Sequence, residues 1–195
     1  VAATFPSPRE AIATVLELGE SAEPAAAQLM DRTTVAAVNA ALRMDLDETA
    51  GAILLVQFDG PDAKGQAAAC AATALRQGTI EVFDTDDADE GESLMQARRA
   101  AYPALERLGA TLLDDVAVPP HRMPELMHAI EDIAAREDVV IGTFGMPLTA
   151  TCIPPWYSTR QRPRAYDGPG PPSTRSSALP SLSAARSPGS TGWAP

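Results

Sequence analysis

The chain has 195 residues, 45% of them hydrophobic, which is enough apolar material for a real core. Its formal net charge of -11 repels the phosphates of nucleic acids and anionic lipid headgroups, and so argues against both as partners. No apolar run approaches the roughly 18 residues of a membrane span, and no basic segment precedes a signal-like core.

The elements follow in order. "VAATF" reads as a strand. In "SPREAIATVLELG", Ser7 is placed to cap a helix, Pro8 sits at its first position and Gly19 stands near its stop. "AAQLMDR" is short, apolar and strand-like, and "TTVAAVNAALRM" is helical. "GAILLVQFDG" is a continuous apolar run closed by Asp59 and Gly60, which predicts a buried strand. An Ala-rich helix ending at Gly78 follows, then "TIEVFDT", which alternates like a strand with one wet face. "DDADEGESLMQARRAAYPALERLG" begins acidic and ends with Arg107 and Gly109, as the helix dipole prefers. "ATLLDDVAVP" is a strand stopped by Pro119 and Pro120. "HRMPELMHAIEDIAARE" keeps Met123, Leu126, Met127, Ile130 and Ala134 on one stripe, and "DVVIGTFG" is the last strand. The alternation predicts an α+β fold, an antiparallel or mixed sheet with helices packed on one side, built from ferredoxin-like units.

After Gly145 the composition changes. Ten of the 18 prolines lie in residues 146–195, which carry +4 from five Arg and one Asp, against -15 on residues 1–145 from ten basic and 25 acidic groups. Such a segment buries too little apolar surface to offset its ordering entropy, so disorder is expected from about Trp156 onward. Two cysteines, Cys70 and Cys152, make neither a disulfide framework nor a metal-ligand spacing, which suits a reducing cytoplasm. The start at Val1, directly in a strand, reads as a piece of something longer.

Few residues suggest chemistry. The acidic run "DTDDADEGES" fails as a calcium loop because the sixth position from Asp84 is Asp89 where glycine is needed, so it reads as an acidic turn and helix start. His121 and His128 stand two turns apart, about 10 Å, too far for one metal ion without further ligands. Arg98 falls at the edge of the stripe formed by Leu94, Ala101, Leu105 and Leu108, while Arg99 points to water. A half-buried guanidinium calls for a carboxylate, from Asp114, Asp115 or a substrate acid; snorkelling is the ordinary alternative. No nucleophile elbow, phosphate loop or zinc motif is visible, and catalytic and cofactor-binding residues are not identified.

Taken together, "QLMDRTT", "SLMQARRAAYPALERLGATLLDDVAVPPHRMPELMHAIEDIAARE" and "VVIGTFG" resemble the C-terminal domain of the FAD-linked oxidases, which include the flavin subunit of glycolate oxidase and the flavin D-lactate dehydrogenases. The resemblance covers residues 1–145 and implies a substrate domain whose N-terminal FAD-binding partner domain lies outside this sequence. It implies oxidation of a small 2-hydroxy acid by hydride transfer to FAD, with Arg98 as the carboxylate-binding residue and a divalent metal held by two histidines. In the family the last strand runs into G-H-A-G-D-G-N-L-H-P; here the two histidine positions are Met146 and Ile153, which cannot replace them. One added C before the codon of Met146 would permit H-A-A-D-G-N-L-H-P-T-M-V-F in the shifted frame. This implies a single-base frameshift after Gly145, residues 146–195 being out-of-frame translation, and an edge left uncovered after the last strand with low stability as the consequence. The competing expectation is a non-enzymatic α+β binding module with a disordered interaction tail.

Overall fold

The computed structural model describes residues 1–147 and 156–161, the latter and Asp115 in their backbone only. The strands are β1 (Ala2–Phe5), β2 (Ala26–Asp31), β3 (Ala52–Gln57), β4 (Glu81–Phe83), β5 (Thr111–Val116), β6 (Val140–Gly145) and β7 (Trp156–Gln161). The helices are α1 (Pro8–Leu18), α2 (Arg32–Leu42), α3 (Ala63–Arg76), α4 (Ala88–Glu106) and α5 (Met123–Glu137), the last preceded by a 3₁₀ turn at Pro120–Arg122. One sheet runs β4-β1-β3-β2-β6-β7-β5, with antiparallel pairing throughout.

Local chemistry sets the helix boundaries. Ser7 caps α1, its Oγ accepting from the Arg9 amide at 3.2 Å, with Pro8 at the first helical position. Asp31 caps α2 and Asp87 caps α4. Gly78, just past α3, takes φ +84, which a side chain would resist.

β1-α1-β2 and β3-α3-β4 interleave so that β3 lies between β1 and β2, the ferredoxin-like split β-α-β arrangement. The second unit is half of one: β5-α5-β6 with β7 inserted between its strands. The α+β class therefore holds, while the placement of the helices differs from the one-sided expectation. Phe5, Ile12, Val15, Leu29, Leu54, Cys70 and Leu126 form one core under α1, α3 and α5. Met30, Val35, Val38, Ile53, Leu55, Leu105 and Phe144 form a second under α2 and α4. Alternate residues of β3 enter the two cores, so a strand apolar on both faces requires cover on both.

Two expectations for the end of the chain change. Trp156–Gln161, assigned to disorder by composition, forms β7 between β6 and β5, so the edge beside β6 is covered and the sheet's edges are β4 and β5. The rest of that expectation, residues 148–155 and 162–195, lies outside the described residues. Close approach of α4 over β6 explains Gly142: a Cβ there would stand 2.6 Å from a Leu105 methyl and 3.0 Å from Thr34 Oγ1.

Candidate functional site

The site is built on α4 and the strands beneath it. Its first turn is an intact cap: Asp87 Oδ1 accepts from the amides of Asp89 at 2.9 Å and Glu90 at 3.0 Å, and the Thr85 hydroxyl donates to Glu90 at 2.5 Å. The acidic run is thus a turn and helix start, as the sequence implies.

Two turns further on, Arg98 and Arg99 take opposite fates. Arg99 is exposed and pairs with Glu92. Arg98 is half-buried, and its Nε donates to Gln28 Oε1 at 2.8 Å. Gln28 stands in mid-strand on β2, 4% exposed, paired with Leu55 of β3. The expected carboxylate partner is therefore corrected to a neutral amide: Asp114 lies exposed on edge strand β5, and the side chain of Asp115 falls outside what is described. Among the described residues no carboxylate pairs with Arg98, so its positive charge is uncompensated there. Leu108, expected on the same stripe as Arg98, is exposed because α4 ends at Glu106.

Two cavities flank this region. One of about 860 Å³ lies at the end of the sheet, walled by Leu55, Val56, Phe58, Leu94 and Met95, with Lys64, Asp84, Asp86, Asp87 and Glu92 also lining it. The other, about 200 Å³, lies over Met30, Ile53, Leu55, Leu94 and Ala97. Arg98 lines neither and stands one helical turn from Leu94.

Asp31 was not singled out by the sequence. Its Oδ1 accepts from the Thr34 amide and its Oδ2 from the Thr143 amide, both at 2.8 Å, so one carboxyl joins α2 to β6. The residue keeps some surface in water, but its carboxyl is enclosed, and burial pushes it up to about 6 although both N–H bonds pull it down. Burial likewise pushes the Cys70 thiol up to about 11, which makes it an inert core residue.

No metal site fits. Met146 is partly buried just after β6, its thioether too soft for a hard divalent ion, and Ile153 lies outside the described residues. His128 is exposed beside Glu131 and Asp132, and His121 lies in the 3₁₀ turn rather than on α5. Among the described residues no group of three or more His, Cys, Asp or Glu could hold an ion. The pyrophosphate of a dinucleotide does not fit either, because four carboxylates against one Lys line the larger cavity.

Residues 1–154 match the family described as FAD linked oxidases, C-terminal domain. This chain belongs to that family. Its match runs past Gly145, where the resemblance read from the sequence stops. The FAD-linked oxidase domain is 32% identical over 125 residues to the glycolate oxidase subunit GlcD of Bacillus subtilis (strain 168), covering 63% of this chain and 27% of that protein. Its fold resembles two crystal forms of alkyldihydroxyacetonephosphate synthase. The P1 form has TM-score 0.58 and 12% identity, over 82% of this chain and 35% of the other. The P212121 form has TM-score 0.54 and 13% identity, over 82% and 34%. The domain thus spans about a quarter of the curated relative and about a third of the solved structures.

Proposed function

We propose that this chain is the substrate domain of an FAD-dependent oxidoreductase that oxidises a small 2-hydroxy acid such as glycolate or D-lactate. Family membership supports the flavin, and the likeness to a glycolate oxidase subunit supports the acid. The observation that carries the substrate reading is Arg98, a half-buried guanidinium held by a neutral amide with no carboxylate partner among the described residues. An uncompensated guanidinium is a seat for a carboxylate, which it grips by two parallel N–H bonds. In such an enzyme FAD accepts the hydride, and this chain's part is to hold the acid in place. The flavin itself is assigned to a domain outside this sequence.

Residues 1–145 are read as the folded substrate domain and residues 146–195 as out-of-frame sequence that has lost the family's metal ligands at Met146 and Ile153. Six residues of the second segment nevertheless pair with the sheet as β7. Sequencing the coding DNA across Gly145 to Ser158 tests this: codons that cannot be shifted into the two-histidine motif would sink it. A cytoplasmic setting is proposed on cysteine usage alone, two cysteines that make no disulfide framework, and partner subunits follow by analogy with the relative, itself a subunit.

Isothermal titration of glycolate and of D-lactate into the full chain tests the assignment. The proposal expects saturable binding that Arg98→Ala weakens roughly 10- to 100-fold, the worth of a charged hydrogen bond. Absence of binding, or binding indifferent to Arg98, would favour the non-enzymatic binding module.

A further inference from the structure

We infer that Gln28 is a positioning residue for Arg98, fixing the plane of the guanidinium so that its terminal nitrogens meet a small carboxylate. The inference rests on the reading of Arg98 given above. Gln28 is the one polar side chain in the buried stretch Ala27–Met30 of β2, 4% exposed between Ala27 and Leu29, which belong to the core. Burying an amide there is unfavourable unless it is hydrogen-bonded, and its oxygen is taken by Arg98 Nε at 2.8 Å.

That single bond has two consequences. A guanidinium is a rigid planar fork with five N–H donors, so anchoring Nε sets the plane and leaves the two terminal nitrogens, with four N–H, for a ligand. Gln28 also satisfies the donor without neutralising the charge, so the fork keeps its attraction for an anion. Neither residue lines a cavity, but the pair stands directly behind residues that do: Leu55, which faces Gln28 across the β2–β3 ladder, and Leu94, one turn before Arg98, line both. A small carboxylate is therefore the ligand class, and Gln28 bears on how tightly it is held.

Nuclear magnetic resonance of the full chain, with glycolate as the probe, tests this. Arg98 Nε–H is assigned by its loss in Arg98→Lys. In the wild type it is expected to exchange at least about tenfold more slowly than Nε–H of exposed Arg99, as a buried hydrogen bond requires. Gln28→Met, which keeps length and removes the acceptor, is expected to abolish that protection and weaken glycolate binding about 5- to 20-fold. Gln28→Glu restores an acceptor and is expected to recover the protection and part of the affinity. Equal exchange of the two arginines in the wild type overturns the inference without any Gln28 variant, which covers a Gln28→Met chain that fails to fold. If glycolate binds, Arg98→Ala weakens binding as expected and folded Gln28→Met binds as tightly as wild type, the positioning role alone fails. If glycolate does not bind the wild type, the carboxylate seat fails and the positioning role with it.

Discussion

Asp31→Asn separates the hydrogen bonds of a buried carboxyl from its charge. In the native chain Asp31 ties the first turn of α2 to β6 through the amides of Thr34 and Thr143, and its carboxyl titrates near 6 instead of the ordinary 3.8. That difference is worth roughly 3 kcal/mol against the charged form in the folded state. Between about pH 4 and about pH 6 the folded chain binds more protons at this site than the unfolded chain. The contribution is fully present below the unfolded value and is lost as pH rises through about 6. The variant's carboxamide does not titrate, and it offers one acceptor oxygen where two amides need one each, so one N–H faces an NH2 group at a cost of about 1–3 kcal/mol at every pH. Urea denaturation of both proteins between about pH 4 and about pH 7.5, followed by circular dichroism, isolates the site because all other acidic groups are shared. The wild type should gain roughly 2.5 kcal/mol relative to the variant on acidification across that range. A constant difference would show that the two N–H bonds cancel the effect of burial, a wild type that loses ground on acidification that they outweigh it, and either would refute a raised value for this carboxyl.

Other perturbations follow from contacts of the same kind. A Cβ at Gly51 would stand 2.1 Å from the Pro6 carbonyl oxygen, a backbone atom that cannot step aside, so Gly51→Ala should cost at least about 2 kcal/mol, read as a lowered Tm. Ser7→Ala removes the cap that accepts from the Arg9 amide and should lower stability by about 1 kcal/mol in urea titration, with no change in secondary structure content. Cys70, buried with its thiol raised to about 11, should resist alkylation at about pH 8 in the native chain and react fully in denaturant, as site-resolved mass spectrometry would show.

Much of this architecture is legible in the sequence because each element carries its own local signal. Ser7 and Pro8 start α1 where the cap pattern places it, and "GAILLVQFDG" announces a strand buried on both faces. That same run already implies helices on both sides of the sheet, since Ile53 and Leu55 need cover as much as Leu54 and Val56 do. The partner of Arg98 was not legible, because pairing depends on which strand α4 crosses; the available signal was a lone Gln inside "AAQLM". The Asp31 clasp had half a signal, an Asp directly ahead of "RTT", while its bond to Thr143 spans 112 residues and is visible only in three dimensions. β7 was missed for a different reason. Its six residues sit in a Pro- and Ser-rich context that gives no strand signal, yet they fill the gap between β5 and β6 and pair with both.

On the proposed function, Arg98 holds the carboxylate of a 2-hydroxy acid while flavin oxidises it. Anaerobic flavin reduction by glycolate and by D-lactate decides this, in a longer protein that joins this domain to an FAD-binding domain. One of the two acids should bleach the flavin, and Arg98→Ala should lose about 1.5–3 kcal/mol in kcat/KM. A folded Arg98→Ala enzyme that reduces its flavin as fast as the wild type at every acid concentration would contradict that role.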